Sequence, residues 1–478
     1  MKIPRILIAA PASGSGKTAI SCALMAAFRE RGMKVRACKC GPDYIDPMFH
    51  REVLGVDSRN LDLFFSGKKE LIREFIRHAS GADITVTEGV MGYYDGRGMD
   101  TDAGSSYDVA RTLHMPVILV VPCRGAALSI AALVRGIIEF RKDSNIRGLL
   151  LNRVSQIQYP GLKEMLEQEL KKSGYEIPVV GYIPENDAFH LESRHLGLVT
   201  PRELANLKEQ TDQAGEILSG SVELEQILGI AEAAPEIESA EDETVPANDS
   251  VKKIRIAIAQ DEAFCFYYKA NLEMLEKAGC ELAPFSPLQD KRLPENISGL
   301  ILGGGYPELY GKKLSENREL LLEIRERIDT GTPCLAECGG FMYLHEEMKD
   351  ENGDIYPMAG VIKGLTYPTG RLVRFGYVNI EAAQEKEEEN TESLNAESEA
   401  YLRLGEKIRG HEFHYWTSTD AGNDCIAIKP DGKRKWECIH MKGNLFAGYP
   451  HLYLPSMPEF AGRFVDRCKK WMQRDQKD

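Results

Sequence analysis

Arg5-Ile-Leu-Ile-Ala-Ala-Pro-Ala-Ser-Gly-Ser-Gly-Lys-Thr18 is the stretch that decides the fold. A short apolar run empties into a glycine-containing loop, and a helical pattern follows from Ile20 to Arg31. That order is a P-loop unit, in which glycines let backbone N–H groups face phosphates at the positive end of a helix. Gly14, Ser15 and Gly16 form the cradle, Lys17 is placed to reach the outer phosphates, and the Thr18 hydroxyl is placed for a magnesium ion. Pro11 stands where the consensus has its first glycine.

Working outward, Lys34 to Lys39 reads as a second strand that opens into Gly41-Pro-Asp-Tyr-Ile-Asp-Pro47. In a parallel sheet, loops at strand carboxyl ends gather on one edge, so Asp43 and Asp46 are expected beside the triphosphate. Asp83 to Thr87 reads as the third strand and ends in Glu88-Gly-Val-Met-Gly-Tyr-Tyr-Asp95-Gly96. A carboxylate at the tip of such a strand can hold magnesium opposite the P-loop threonine. Strands over 116–121, 147–151 and 178–184, with helices over 125–140 and 161–172, extend the alternation to a doubly wound parallel sheet. Asn152 ends one of these strands, at a position where P-loop proteins often read the base. Arg194 and His195, in Glu192 to Leu198, are equally suited to an anion or to surface pairing.

The 478 residues exceed one ordinary core, and the 43% apolar content is that of a globular chain. A net charge of −14 argues against nucleic-acid or anionic-membrane partners, which call for a basic stripe. Eleven cysteines without regular spacing read as reduced thiols, pointing to the cytoplasm. The chain begins without a signal-peptide pattern, and its most apolar segment, 115–134, is interrupted by Pro122, Arg124 and Gly125, so no membrane span is expected.

From about 231 to 250 the chain is acidic and nearly free of large apolar residues, which marks a solvated linker between a domain over 1–230 and another over 251–478. A second acidic run, Gln384 to Glu399, reads as an insertion within the latter. There Ile254 to Ala259 starts a new sheet, and Gly299 to Leu302 runs into Gly303-Gly304-Gly305. Thr332-Pro-Cys-Leu-Ala-Glu-Cys-Gly-Gly-Phe-Met-Tyr-Leu344 reads as a strand, a sharp turn at Cys338 and a helix. Alone, Cys-Gly-Gly better describes a core cysteine with helix-opening glycines. Together with the glycine turn it describes a nucleophile elbow, with oxyanion donors from Gly304 and Gly339. His411, His414, His440 and His451 are the candidate bases, and His451 is preferred because it follows an apolar segment at a Pro-terminated corner. Triad glutaminases carry a glutamate two positions after the histidine, where this chain has Tyr453. The expectation is a Cys-His dyad with a loosely held imidazole, or an orienting acid from elsewhere.

These residues resemble the cobyrinic acid a,c-diamide synthase family. The resemblance runs through Pro11 to Thr18, Lys39 to Pro47 with His50, Ser58 to Leu63, Glu88 to Gly96 and Arg194 to Leu198. It continues through Ala263 to Tyr268, Phe285 to Leu288, Ala336 to Gly340 and Arg409 to His414. It implies a dethiobiotin-synthetase-like P-loop domain joined to a class I glutamine amidotransferase domain of a type that also lacks the triad glutamate. It further implies magnesium on Thr18, Asp43 and Glu88, substrate activation by Tyr44, Asp46 and Asp95, and catalysis by Cys338 and His451. ATP and glutamine are the implied co-substrates and a tetrapyrrole the acceptor, with a homodimer as the assembly to test. Two sister substrates, nickel-sirohydrochlorin and hydrogenobyrinic acid, fit nearly the same motifs. A P-loop ATPase switch carrying an inert amidotransferase domain is the alternative of another class.

Overall fold

The computed structural model describes residues 1–190, 201–238 (side chains from 205), 253–383 and 400–474. The chain divides into two compact units, Met1–Glu243 and Thr244–Asp478.

In the first unit seven parallel strands form one sheet: β1 (Arg5–Ala9), β2 (Val35–Cys40), β3 (Ser58–Leu61), β4 (Ile84–Glu88), β5 (Val117–Pro122), β6 (Ile146–Asn152) and β7 (Val179–Ile183). Their spatial order is β3-β2-β4-β1-β5-β6-β7. Helices cover both faces, which is why β1 and β4 are buried along their whole length, including Arg5 in β1 and Thr85, Thr87 and Glu88 in β4. One core packs on the face of Leu7, Leu119 and Leu149, the other on the face of Ile6, Val120 and Leu150. The order reverses direction at β1, so α1 (Lys17–Glu30) and α2 (Ile45–Glu52) open beside each other at the strand carboxyl ends.

The third strand is β3 at the sheet edge, and the strand expected third is β4. The expected linker also begins later than residue 231. A helix spans Leu224–Glu232, Ala234 and Ile237 are buried, and the Ile237 N–H donates to the Met1 carbonyl at 3.0 Å. The rest of the expected linker, the insertion at 384–399 and the Arg194-His195 motif lie outside the described residues.

The second unit is built on a six-stranded sheet whose middle is parallel: β8 (Ile254–Ala259), β9 (Cys280–Phe285), β10 (Gly299–Leu302) and β11 (Cys334–Glu337), with Leu445–Gly448 parallel beside β11 and His440–Lys442 antiparallel at the edge. Two further sheets, of four and five strands, use residues between His345 and Leu452. In the larger, Lys407–His414 lies antiparallel between Arg374–Ala382 and His451–Leu452. All eleven cysteines are free, and no described helix is long and apolar enough to cross a membrane.

Arg5 is fully buried in β1 and lies where an aliphatic residue is expected. Its guanidinium donates at 2.8 Å to each of the carbonyls of Leu113, Ile3 and Pro235, tying the segment after the last helix to the first strand. Burial pushes its pKa down to about 10. Replacing it leaves three buried carbonyls without a donor, so Arg5→Ala is expected to cost the first unit about 3 kcal/mol. The check is chemical denaturation; a midpoint unchanged from the parent contradicts this role.

Candidate active sites

The P-loop unit brings its expected residues to one edge. Gly16, with φ of 89°, turns the chain into α1, so that Lys17 and Thr18 are its first residues. Lys17 Nζ donates to the carbonyls of Ala12 at 3.0 Å and Met91 at 2.6 Å, and burial, then the neighbouring charge of Lys39, pushes its pKa down to about 8. The Thr18 hydroxyl donates to Glu88 Oε1 at 2.6 Å. Glu88 is buried, and its Oε2 has no hydrogen-bond partner among the described residues; His50 Nε2 lies 3.5 Å away.

Lys39, to which the sequence reading gave no role, joins the acids. It is in register with Glu88 across the β2–β4 pair, and its ammonium lies 2.7 Å from Glu88 Oε1 and 2.5 Å from Asp46 Oδ2. Burial alone would raise the Glu88 carboxyl, but Lys39 and His50 hold it well below the ordinary range. Asp46 is pushed up, by burial and then by the charge of Glu88. One ammonium thus serves two carboxylates, and Glu88 has the greater share.

Asp43 Oδ1 accepts from the N–H groups of Ile45 at 2.7 Å and Asp46 at 3.3 Å, fixing the turn into α2. Tyr44 is buried in that turn, and its carbonyl accepts from Met48 at 3.2 Å. Asp95 Oδ2 accepts from the Gly92 N–H at 2.7 Å and bears electrostatically on Lys17. The side-chain amide of Asn152, expected at a base-reading position, donates to the Ser15 carbonyl at 2.9 Å and so braces the P-loop. The donor set suits magnesium, since a hydroxyl and a buried carboxylate with an open oxygen are hard ligands that phosphate oxygens and water complete. Among the described residues no group of three or more His, Cys, Asp or Glu side chains could hold a metal alone.

In the second unit β11 ends at Glu337 and a helix starts at Gly339. Between them Cys338 has φ 48° and ψ −104°, an unfavourable backbone for a residue with a Cβ. Gly340 makes the turn feasible, because a Cβ there would stand 2.1 Å from the Leu302 carbonyl oxygen. A Cβ on Gly339 would lie 3.1 Å from the Gly305 amide nitrogen, so the elbow and the glycine turn are in contact.

His451 interacts electrostatically with both Cys338 and Glu337, and its Nδ1 lies 3.7 Å from Glu337 Oε2. The imidazole is packed closely. Its Cε1 would lie 2.3 Å from a Cβ at Gly304, and the His411 ring stacks on it at 6.3 Å between centroids. Burial would lower the His451 pKa, but Cys338 and Glu337 outweigh it and raise the value to about 10. His411 goes the other way, pushed down to about 3 by burial and by His451. His414 bonds the Trp416 carbonyl at 2.6 Å and Glu412 at 3.1 Å, while His440 lies 3.2 Å from the Asp420 carbonyl. Tyr453, at the position where triad enzymes have glutamate, packs edge-on against Tyr268.

A model of the CobQ/CobB/MinD/ParA nucleotide-binding domain matches residues 6–199, and one of the CobB/CobQ-like glutamine amidotransferase domain matches 255–458. A cobyrinate a,c-diamide synthase from Caldanaerobacter subterraneus subsp. tengcongensis is 40% identical over 469 residues, covering 97% of this chain and 98% of the relative. The enzymes of that name from Clostridium acetobutylicum and Picrophilus torridus are 39% and 38% identical, over 96% and 98% of this chain and 99% of each relative. The chain belongs to the cobyrinate a,c-diamide synthase family. It is therefore a glutamine-dependent amidotransferase of the ligase class with a P-loop nucleotide-binding domain.

For a member of the cobyrinate a,c-diamide synthase family, Lys39, His50 and Glu337 lie within the motifs of the resemblance but were assigned no role from sequence. Lys39 has a visible signal, a lysine inside a strand otherwise composed to be buried. The contact of Gly304 with the imidazole gives a direct test. Gly304→Ala is expected to displace His451 and cut glutamate release from glutamine at least about 100-fold. Steady-state glutaminase assays check it, and near-parental release would contradict the packing described.

Proposed function

We propose that this chain amidates the a and c acetate carboxylates of cobyrinic acid, using ATP and glutamine, through an acyl phosphate. The single observation that carries the reading is the presence in one chain of two differently charged centres: a P-loop with a buried Lys39-Glu88-Asp46 cluster, and a strained Cys338 elbow against His451. The near full-length similarity to relatives named for that reaction supports the substrate.

In the amidotransferase unit the Cys338 thiolate attacks the side-chain carbonyl carbon of glutamine. The carbon–nitrogen bond breaks, and the leaving amine takes a proton from the His451 imidazolium and departs as ammonia. Oxyanion charge falls on the backbone N–H groups of Gly339 and of the glycine turn around Gly304. Water, deprotonated by the now neutral imidazole, hydrolyses the thioester and releases glutamate.

In the P-loop unit a substrate carboxylate oxygen attacks the γ-phosphorus of ATP, and ADP leaves with the bridging oxygen. Lys17 and the loop amides of Gly14 to Gly16 hold the phosphates, and Lys39 offers a second ammonium for the developing charge. Thr18 and Glu88 would hold a magnesium ion, with Asp43 beside them; when bound, it neutralises phosphate charge. Asp46 and Asp95, with Tyr44, position the acceptor carboxylate. Ammonia then displaces phosphate from the acyl carbon, giving the amide and inorganic phosphate. An acyl phosphate, rather than an adenylate, follows from a P-loop cradle that holds the β- and γ-phosphates.

Cys338→Ser is expected to abolish glutamine-dependent synthesis while high ammonium restores it close to the parental ammonia-dependent rate. Failure of ammonium to rescue the variant would contradict the division of labour between the two centres.

A further inference from the structure

We propose that Glu337, the residue immediately before the nucleophile, is the positioning acid for His451, the part played in triad glutaminases by a glutamate two residues after the histidine. The inference rests on reading the second unit as a glutaminase. Glu337 Oε2 lies 3.7 Å from His451 Nδ1, and Oε1 accepts the Leu452 N–H at 3.2 Å. One carboxylate therefore contacts both the ring of His451 and the backbone that follows it. The distance to the ring is longer than an ordinary hydrogen bond and well within the range at which a carboxylate stabilises an imidazolium.

The geometry follows from register. Glu337 ends β11 opposite Gly448, which has no side chain to come between the carboxylate and the turn that carries His451. Strand alternation sends Glu337 to the face opposite Ala336, and the elbow then reverses the chain so that Cys338 approaches the same ring. Nucleophile and orienting acid are thus consecutive residues that address one imidazole. Gly304, the edge of Phe266 and the His411 ring, which burial keeps from taking up a proton, also face that ring, on which the Cys338 sulfur bears as well. Glu337 brings a carboxylate to His451, with its side chain 19% exposed. It keeps Nδ1 protonated, so that Nε2 is the nitrogen that exchanges a proton with the Cys338 sulfur, and it steadies the imidazolium during ammonia release.

Glu337→Gln separates this role from a structural one, because the amide oxygen can still accept the Leu452 N–H while the charge is gone. The expected result is a fall of about 10- to 100-fold in kcat for glutamate release, with little change in KM for glutamine. The pH dependence of Cys338 alkylation by iodoacetamide, followed by peptide mass spectrometry, should move about 1 pH unit or more to higher pH. Glu337→Asp should recover part of the alkylation shift, while ammonia-dependent synthesis stays parental in both variants. Neither glutamate release nor alkylation needs the tetrapyrrole, so a wrong substrate leaves this test intact. Absence of glutamate release from the parent, with none lost in Cys338→Ser, would remove the glutaminase reading itself. A Glu337→Gln protein with parental kcat and a parental alkylation profile would overturn the positioning role.

Discussion

The backbone at Cys338 is the constraint around which the amidotransferase unit is assembled. A left-handed conformation at a residue with a Cβ costs on the order of 1–3 kcal/mol and persists only where neighbours enforce it. Here the enforcement is visible: Gly340 sits against the Leu302 carbonyl, the Cys338 N–H donates to the Gly448 carbonyl at 2.8 Å, and the Gly340 N–H donates to the Gly303 carbonyl at 2.9 Å. Each of these partners is a backbone atom of a neighbouring strand or its continuation. The parallel core thus delivers the elbow, the glycine turn and the histidine corner to one place, and the strain is offset by burial elsewhere in the unit.

The P-loop unit solves a different problem, the concentration of charge at a buried edge. Lys39, Glu88 and Asp46 are each substantially buried, and the first two are tolerated because they are paired. Two carboxylates share one ammonium, and the competition leaves Glu88 ionised while Asp46 is pushed toward its neutral form. The same edge holds Asp43 and Asp95, whose carboxylates also fix backbone turns.

Much of this was legible in the chain. Strands such as β1 and β5 announce themselves as largely apolar runs, and the sequence order of strand, loop and helix marks out Lys17, Thr18, Glu88 and Cys338 as candidates. β3 was missed as a strand because Ser58-Arg-Asn-Leu61 is short, polar and at the sheet edge. The antiparallel strands of the second unit escaped for a related reason, as pieces like Trp416–Ser418 are too short for a period to show. The bond from the Asn152 amide to the P-loop has no local signal, because the two meet only through the packing of β6 near the loop. Glu337 carries no local signal as the orienting acid left open by the sequence, because it stands at no fixed offset from the histidine. The distance that matters runs across the pairing of β11 with Leu445–Gly448, and no local pattern encodes that register.

The central claim is that glutamine nitrogen freed at Cys338 ends on two carboxylates activated at the P-loop. Mass spectrometry of the product from cobyrinic acid, ATP, magnesium and glutamine labelled at the amide nitrogen tests it most directly. The account predicts a diamide carrying two labelled nitrogens, with an ADP released for each. Recovery of unmodified acceptor, or of product without label, while glutamate accumulates, would contradict it.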